Sequence, residues 1–563
     1  MAAEINFMVG GEAGQGVQSV GLLLAKALAR WGYNVYADQD YESRVRGGHN
    51  FFRIRASDVP VEAVKESVDI LIALNKESID LHRQEIRDGG VILYDGEKLP
   101  GLKGYNLCSV PFDRMGREAG DAVMANTVAL GAALGLIGYD FSLLSELLTE
   151  YFSGEIGVKN VKAADAGYQA VKMFGGGQLK MARAGGAKRM LLNGNEAMAV
   201  GAIAAGCKFM SAYPMTPTTA IMEYLAAHAA EFGLVVVPAE DEISAFNMTV
   251  GAGFTGVRAM TATSGGGFCL MVEGLGLAGI TETPVVVVEG QRPGPAIGLP
   301  TRTEQGDLEF ILHASHGEFP RVVFAPGNVE DSFNLMVKAF NLAEKYQIPV
   351  LIITDHNLAN SYFTSEKFDL SKVSIDRGIL YDKNKSTGEY KRYAYTESGI
   401  SPRAFPGDRN ALVVADSDEH DEAGHLIEDA ETRTRMMDKR FKKMEGLKKE
   451  MVPPKIYGGE NAETLLIGWG STYGVIRESA GILNQAGGSW AHLHLTQLWP
   501  FPAEVVTERM KKARQTYVIE NNFTGQLAGL IREQTGLASV SILKYDGRPF
   551  TPDIILRELR KQR

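Results

Sequence analysis

The sequence predicts a multidomain α/β protein, and three observations carry that prediction. Short apolar segments alternate with longer helical segments along most of the chain, which is the pattern of βα units. The chain has 563 residues. One domain usually has roughly 100–200 residues, so three or four domains are expected. Apolar residues make up 45% of the sequence, which is enough for several hydrophobic cores.

The first block, residues 1–175, shows the clearest βα alternation. Its predicted strands are 5–9, 34–37, 51–55, 70–73 and 91–94, and its predicted helices are 18–31 and 122–136. Glycine and alanine interleaved with basic residues interrupt the pattern at 176–189, which predicts a linker.

A second α/β block covers 190–365, a polar connecting segment covers 366–455, and a third block covers 456–563. The connecting segment shows few clear elements besides a charged helix at 431–451. The third block repeats a strand–turn–helix pattern and includes a strand at 517–519. The predicted strands of the second block are 235–237, 259–261, 285–289, 321–324 and 350–353.

Composition argues against several classes of function. The net charge of −10 disfavours a general nucleic-acid binder, which usually carries a basic excess. Cys108, Cys207 and Cys269 are far apart in apolar or turn settings, so buried free thiols are expected rather than a disulfide framework or an iron–sulfur cluster. No apolar segment is long enough to span a membrane and no signal peptide is recognised, so a cytoplasmic protein is expected.

A glycine-rich loop, Gly11-x-x-Gly14-Gln15-Gly16, lies between the first strand and the first helix. Backbone N–H groups at a helix N-terminus bind phosphate, and glycine allows the anion to come close. The spacing is neither the dinucleotide fingerprint nor a Walker motif, and a tight structural turn explains it equally well. Arginines around a following Gly-Gly turn predict either a polyphosphate contact or a solvated face: Arg44, Arg46, Arg53 and Arg55.

The segment "AYPMTPTT" follows a strand-like apolar run and precedes a helix-like one. Two prolines restrict the backbone on both sides of Thr216. Such a stiff corner at the mouth of a helix presents the threonine hydroxyl with little residual freedom.

Three carboxylates, Glu240, Asp241 and Glu242, open a small, apolar helix after another strand. Acidic residues at a helix start are common and stabilising, so a structural role is the first interpretation. A carboxylate beside an apolar helix can also be desolvated and share a proton with a ring nitrogen. The "TSGGG" turn at 263–267 ends a neighbouring strand, and ligands of open parallel sheets bind at such carboxyl ends.

Arg292 ends a buried strand within "GQRPGP", where prolines and glycines restrict the loop. A lone arginine after a strand is usually a surface residue, but a guanidinium held by such a loop suits bidentate carboxylate recognition. The histidines form no cluster at metal-ligand spacing, so no metal ligand is predicted in this chain.

Together these motifs resemble the α subunit of a 2-oxoacid:ferredoxin oxidoreductase, in the form with the γ domain fused at its N-terminus. The resemblance runs in one order over nearly the whole chain, through the segments "GEAGQG", "SRVRGG", "YPMTPTT", "EDEISAFNMTVGA", "TATSGGGFCLM", "GQRPGPAIGLPTRTEQGDL", "LLIGWGSTYG", "LWPFP" and "IENNFTGQLAGLIR".

The resemblance implies a γ-type α/β domain at 1–175, a doubly wound pyrimidine-binding domain for thiamine diphosphate at 190–365, and a transketolase C-terminal-like α/β domain at 456–563. It also implies an activity. The family decarboxylates a 2-oxoacid on thiamine diphosphate, passes electrons to iron–sulfur clusters and ferredoxin, and transfers the acyl group to coenzyme A.

Individual residues match the family's motifs. Glu242, with Glu240 as the fallback, matches the glutamate that hydrogen-bonds the aminopyrimidine ring and promotes cofactor activation. Thr216 and Arg292 match the pair that binds the 2-oxo-carboxylate. The other implied contacts are Tyr213 on the substrate, Thr263, Ser264 and Gly265 on the thiamine diphosphate side, and Gly11, Gly14, Gln15, Gly16, Arg44 and Arg46 on the coenzyme A side.

The sequence contains no G-D-G…N diphosphate–magnesium motif and no set of cluster cysteines. Both belong to the family's β subunit. We therefore expect half of an enzyme, whose β subunit carries Mg²⁺ and a [4Fe–4S] cluster in an (αβ)₂ heterotetramer, with the active site at the α–β interface and no nucleic-acid partner.

The fused γ–α arrangement favours 2-oxoglutarate as the substrate, while pyruvate and branched 2-oxoacids stay open. A self-contained transketolase-like transferase would need the missing diphosphate motif. A non-catalytic nucleotide-binding or scaffold protein would explain the glycine loops, but not why Thr216, Glu242 and Arg292 all lie at strand ends.

Overall fold

The computed structural model describes residues 3–43, 47–172, 174, 179–186, 189–385 and 388–562. The chain divides into two compact units. The first unit comprises Met1–Leu192, Asn360–Lys367 and Thr551–Arg563, and the second comprises Asn193–Ala359 and Phe368–Phe550.

The strands are β1 Glu4–Ala13, β2 Asn34–Asp40, β3 Gly47–Ser57, β4 Val68–Ala73, β5 Ile86–Tyr94, β6 Leu107–Ser109, β7 Met190–Asn193, β8 Phe209–Ala212, β9 Val235–Pro238, β10 Ala259–Ser264, β11 Val285–Gln291, β12 Val322–Phe324, β13 Pro349–Asp355, β14 Tyr362–Ser365, β15 Lys455–Tyr457, β16 Thr464–Trp469, β17 Trp490–Leu495, β18 Gln497–Trp499, β19 Gln515–Glu520 and β20 Val540–Leu543.

The helices are α1 Val17–Arg30, α2 Lys76–His82, α3 Phe112–Ala119, α4 Ala125–Leu136, α5 Phe141–Tyr151, α6 Gly154–Ala170, α7 Gly194–Ala204, α8 Thr219–Ala227, α9 Ala229–Phe232, α10 Glu242–Phe254, α11 Gly265–Ile280, α12 Leu308–His313, α13 Val329–Tyr346, α14 His356–Asn360, α15 Ala430–Lys449, α16 Tyr473–Gln485, α17 Ala503–Lys512, α18 Gln526–Thr535 and α19 Pro552–Lys561.

The first unit is built on a mixed sheet with the strand order β6-β5-β4-β1-β3-β2-β14-β7. Strand β1 pairs parallel with β4 and antiparallel with β3. Helices α1, α4 and α6 contribute to its main apolar core. Helices α4 and α6 approach closely at Gly131, where a Cβ would be 2.0 Å from the carbonyl oxygen of Ala164.

The second unit contains a sheet with the order β18-β12-β13-β11-β10-β8-β9, in which every pairing is parallel except the one between β18 and β12. Strand β11 is buried on both faces of this sheet. Val285 and Val287 pack into one core and Val286 and Val288 into the other, as expected of a parallel strand covered by helices on both sides.

A third sheet, also in the second unit, has the order β15-β17-β16-β19-β20. Its residues Ile467, Leu493 and Val518 join Val287 and Leu351 of the preceding sheet in one continuous core. The predicted multidomain α/β class, with its doubly wound sheet, is therefore confirmed.

The predicted strands and helices occur near their predicted positions, but several elements were missed. Strand β14 pairs antiparallel with β2, through Tyr362 with Ala37 and Phe363 with Tyr36, so it belongs to the first unit although the sequence places it at the end of the second block. The described part of the predicted linker packs on the first unit, where the Tyr33 hydroxyl donates to the carbonyl oxygen of Ala182. The domain boundaries themselves remain predictions.

The cysteines were predicted to be buried, and this is wrong for Cys269. All three are free thiols, but only Cys108 and Cys207 are buried. Cys269 lies on α11, where neighbouring Leu270 is 49% exposed. The helix has apolar or small residues on almost every side, so its sequence gave no indication of its exposed face. Within the described residues no helix has the length and apolarity needed to cross a membrane.

The charged helix of the connecting segment, α15, is held to the second unit by buried ion pairs. Lys439 and Lys443 are both buried, and each ammonium group pairs with the buried carboxylate of Glu282. Burial alone would raise the pKa of Glu282, but the two ammonium groups lower it below its ordinary value. Long charged side chains in a polar helix usually indicate a solvated face, so sequence alone does not reveal this contact.

We predict that Lys443→Met destabilises the docking of α15. Methionine has a similar length but leaves the Glu282 carboxylate with one cation instead of two, and breaking a buried pair typically costs about 3–5 kcal/mol. Amide hydrogen exchange within α15 measures the change. Lys448→Met on the exposed side of the same helix is the control and should leave exchange unchanged. Equal protection in both variants would contradict the role assigned to the pair.

Candidate functional site

The carboxyl ends of three neighbouring parallel strands meet at one edge of the second unit's sheet. Strand β10 pairs parallel with β8, through Met260 with Met210, and with β11, through Ser264 with Gly290. The segments that follow these strands therefore lie side by side. They carry the proline corner, the "TSGGG" turn and Arg292, so the structure brings the predicted site segments together.

The proline corner is anchored to this edge by its own backbone and by small residues. The Thr218 hydroxyl lies 3.2 Å from the carbonyl oxygens of Met215 and Thr263. The Asn195 amide donates to the carbonyl oxygen of Pro217 at 2.8 Å. Gly290 lets Pro217 lie on β11, since a Cβ at Gly290 would be 2.8 Å from the proline ring. These contacts hold the corner in one position before any ligand binds.

Arg292 and Thr216 are in direct contact. Nη1 of Arg292 donates to the carbonyl oxygen of Thr216 at 3.0 Å. Within the described residues, the Thr216 hydroxyl and the remaining N–H groups of Arg292 have no hydrogen-bond partner. The pair therefore offers spare donors and a positive charge, which suits a carboxylate. Tyr213 is 41% exposed beside the corner, and the Ser264 hydroxyl contacts the Met215 sulfur at 3.2 Å.

The acidic trio separates into one buried and two exposed carboxylates. Glu242 is 4% exposed, whereas Glu240 and Asp241 are exposed. Asp241 caps α10 by accepting a hydrogen bond from Ser244 N at 2.7 Å, which is the structural role expected of an acidic residue at a helix start. Oε1 of Glu242 is buried and has no hydrogen-bond partner in the described part of the chain. Geometry therefore favours Glu242 over Glu240 as a functional carboxylate.

The start of α11 packs closely against Glu242 because it consists of glycines. A Cβ at Gly267 would be 2.1 Å from Thr263 Oγ1 and 2.8 Å from Glu242 Oε1. Any larger residue at this position would displace both groups. The orphaned carboxylate oxygen, the threonine hydroxyl and the glycine-lined helix start fit the edge of a thiamine diphosphate aminopyrimidine ring, which offers nitrogen atoms to a buried carboxyl group.

In the first unit, the glycine-rich loop forms a tight turn. Gly14 and Gly16 have φ values of 91° and 80°, which favour glycine. The Gln15 side chain closes the turn by accepting a hydrogen bond from Glu12 N at 2.9 Å. A Cβ at Gly11 would be 2.8 Å from the Gln15 side-chain oxygen. The four predicted residues are thus together, but their structure alone also fits a turn with no ligand.

The arginines near this loop do not all serve an anion. Arg53 donates to Asp38 at 2.9 Å, and Arg55 pairs with Glu4 at 3.0 Å. The suggestion that these two arginines contact a polyphosphate is therefore wrong, since their charges are neutralised within the unit. The predicted contacts Arg44 and Arg46 lie outside the described residues.

A contact between two histidines in the first unit was missed. Nε2 of His49 lies 2.7 Å from Nε2 of His82, and Nδ1 of His82 lies 2.9 Å from the Glu85 carboxylate. Burial and the neighbouring His82 lower the pKa of His49 to about 4. His49 and His82 are 33 residues apart, so no local spacing in the sequence indicates the contact.

Comparison with known proteins identifies the family. Residues 6–170 match the model "Pyruvate ferredoxin/flavodoxin oxidoreductase", residues 200–439 match "Pyruvate flavodoxin/ferredoxin oxidoreductase, thiamine diP-bdg", and residues 462–555 match "Pyruvate:ferredoxin oxidoreductase core domain II". A 2-oxoacid:ferredoxin oxidoreductase subunit alpha from Sulfolobus sp is 35% identical over 99% of this chain and 96% of its own length. The chain therefore belongs to the α subunits of the 2-oxoacid:ferredoxin oxidoreductases, a family of oxidoreductases.

The names of two further relatives include a substrate, 2-oxoglutarate. The 2-oxoglutarate oxidoreductase subunit KorA from Mycobacterium tuberculosis is 28% identical over 98% of this chain and 90% of its own length. A solved structure of the 2-oxoglutarate:ferredoxin oxidoreductase from Magnetococcus marinus, with 2-oxoglutarate, coenzyme A and succinyl-CoA bound, is 33% identical with a TM-score of 0.92 and covers 99% of both chains.

We predict that Glu242→Gln cripples activity while the fold stays intact. An amide cannot hold the charge that attracts a ring-nitrogen proton, and removing a positioned acid–base group typically lowers the rate about 10²–10⁴-fold. Steady-state turnover of the complete complex measures the loss, and circular dichroism checks the fold. Glu240→Gln is the matched control and should retain activity. Near-normal turnover in Glu242→Gln with a dead Glu240→Gln would place the functional carboxylate two residues earlier.

We also predict that Thr216 and Arg292 act on one substrate carboxylate. Thr216→Val keeps the side-chain shape but removes the hydroxyl that has no partner within the described part of the chain. The lost hydrogen bond should lower kcat/KM by an amount equivalent to about 1–3 kcal/mol of transition-state stabilisation. Arg292→Lys keeps the charge but loses the fork of donors and should not restore activity. Because both residues touch the same ligand group, the losses in the double variant should be non-additive.

Thr216→Ser provides the control for this cycle, because it retains the hydroxyl and leaves the backbone carbonyl in place for Arg292. It should lose far less activity than Thr216→Val. Strictly additive losses in kcat/KM across the two single variants and the double variant would mean that the residues do not share a ligand.

Proposed function

We propose that this chain is the γ–α fused subunit of a 2-oxoglutarate:ferredoxin oxidoreductase, which converts 2-oxoglutarate and coenzyme A into an acyl-CoA and CO₂ with transfer of electrons to ferredoxin. The contact of Arg292 with Thr216, at the same sheet edge as the orphaned Glu242 carboxylate, carries the proposal. It provides a receptor for a carboxylate next to an acid–base group. The full-length likeness to a structure containing 2-oxoglutarate and coenzyme A supports the choice of substrates.

Each residue of the site has a distinct task in this reaction. The Arg292 guanidinium and the Thr216 hydroxyl bind the carboxylate of the 2-oxoacid. They fix the orientation of the carbon–carbon bond that breaks when CO₂ leaves. Glu242 holds or accepts a proton at the pyrimidine edge. Thr263 and the glycines of α11 shape the space beside Glu242. Thiamine diphosphate, when bound, supplies the electron sink for the pair of electrons released as CO₂ leaves.

A partner subunit completes the proposal. The chain has neither a G-D-G…N motif nor cluster cysteines, and it belongs to a family of α subunits. We infer that a β subunit provides the diphosphate–Mg²⁺ site and the [4Fe–4S] cluster, that the two subunits form an (αβ)₂ heterotetramer in the cytoplasm, and that ferredoxin accepts the electrons.

A substrate panel on the co-expressed complex tests this function. With coenzyme A and a dye acceptor, 2-oxoglutarate should give the highest kcat/KM, ahead of pyruvate and branched 2-oxoacids. A higher kcat/KM for pyruvate or a branched 2-oxoacid would support the proposed reaction but contradict 2-oxoglutarate as its substrate. No oxoacid-dependent dye reduction with any of them would refute the proposal.

The chain expressed alone should be colourless and inactive. It holds one side of the proposed cofactor site, so added thiamine diphosphate should not produce oxoacid-dependent dye reduction. Adding the β subunit should restore both activity and the absorption of an iron–sulfur cluster. Robust turnover by the single pure chain would contradict a site divided between two subunits.

Arg44 and Arg46 should serve coenzyme A rather than the oxoacid. We predict that Arg44→Ala combined with Arg46→Ala raises the KM for coenzyme A, because each lost charge-assisted phosphate bond costs about 1.5–3 kcal/mol, and leaves the KM for the oxoacid unchanged. Arg83→Ala combined with Arg117→Ala removes two exposed arginines of the same unit and is the charge-matched control. An unchanged response to coenzyme A would assign the two arginines to a solvated face.

A further inference from the structure

A second buried carboxyl group lies at the end of β11, three residues before Arg292. The Glu289 side chain is fully buried and its residue pairs with Thr263 across the sheet. No donor within the described residues reaches either of its carboxylate oxygens. An ionised carboxylate without donors is costly in such a place, so the group retains its proton.

The carboxyl group placed to accept that proton belongs to Asp307, which is bound to Gln291, two residues from Glu289 on the same face of β11. Two acids can form a hydrogen bond only when one of them is protonated. Asp307 is held from both sides. Its N–H donates to the Gln291 side chain at 3.0 Å, and its Oδ2 lies 2.4 Å from where a Cβ at Gly265 would be. The pair therefore links β11 to the start of α11.

The charges around the pair disfavour a second negative charge. Burial and the neighbouring Asp307 raise the pKa of Glu289 well above its ordinary value, and burial also raises the pKa of Asp307. Burial raises the pKa of the nearby Glu304 to about 7. The groups that face the pair are Asp355 at the end of β13, Glu304 in the loop before α12, Cys269 on α11 and the cation Arg292.

We propose that Glu289 and Asp307 share one proton and act as a positioning pair for Arg292, keeping the Glu289 carboxyl uncharged so that the guanidinium stays directed at the substrate carboxylate. The inference rests on the proposed function, because it takes Arg292 as the carboxylate receptor. An ionised Glu289 would be an internal anion that competes with the substrate for Arg292, which is otherwise bound only to the Thr216 carbonyl oxygen among the described residues.

The dependence of KM on pH tests the pair in the co-expressed complex. Glu289 is protonated below its raised pKa, so the KM for the oxoacid should rise as the pH passes that value, by up to about tenfold for each pH unit, with a smaller change in kcat. Glu289→Gln matches the protonated side chain in shape and cannot ionise, so its KM should stay flat. Asp307→Asn leaves Glu289 buried but removes the neighbouring charge that adds to the effect of burial on its pKa, so the rise should begin at lower pH.

Glu304→Gln is the matched control, because it removes a neighbouring acid that is not part of the pair, and it should keep the wild-type rise in KM. Infrared spectroscopy of the purified complex gives a second readout. At a pH above the pKa of Glu304, the wild type and Glu304→Gln should share a carbonyl band of a protonated carboxylic acid that is missing from Glu289→Gln.

Two results would overturn the inference: the same dependence of KM on pH in the wild type and Glu289→Gln, or no acid band lost in Glu289→Gln. The infrared result does not depend on turnover. A complex without any oxoacid-dependent activity would therefore refute the proposed function, while the infrared band would still decide whether the two carboxyl groups share a proton.

Discussion

The parallel pairing of β8, β10 and β11 is the constraint on which the candidate site depends. It brings the carboxyl ends of three neighbouring strands to one edge of the sheet, and each end contributes a polar side chain. The corner after β8 contributes Thr216, the end of β10 contributes Thr263, its next-to-last residue, and the loop after β11 contributes Arg292. A change in register at any of these strands would move a donor away from the others.

Small residues leave space for the side chains that meet at this edge. Gly290 admits Pro217 onto the sheet, and Gly267 leaves room for Thr263 and Glu242 at the start of α11. The groups that face the site are already placed by contacts to the protein, as in the hydrogen bond from Arg292 to the Thr216 carbonyl oxygen. A site organised in this way loses little freedom when a ligand binds.

The sequence predicted the fold class and the strand-end residues, because both depend on local patterns. An apolar run such as Val285–Val288 indicates a buried parallel strand, and prolines and glycines next to its end mark a loop. Contacts between distant segments could not be predicted. Strand β14 pairs with a strand more than three hundred residues earlier in the chain. Glu282 neutralises lysines of a polar helix. Asp307 reaches the neighbourhood of Glu289 through a loop whose course no local pattern indicates. The motif resemblance already preferred Glu242 to Glu240, and the burial of Glu242 beside an exposed Glu240 supports that preference.

A structure of the complete αβ complex with thiamine diphosphate and a bound 2-oxoacid tests the central claim most directly. We predict that the substrate carboxylate accepts hydrogen bonds from the Arg292 guanidinium and the Thr216 hydroxyl, while Glu242 Oε1 contacts a nitrogen of the aminopyrimidine ring. A substrate carboxylate bound away from both residues, or an aminopyrimidine ring with no contact to Glu242, would contradict the account.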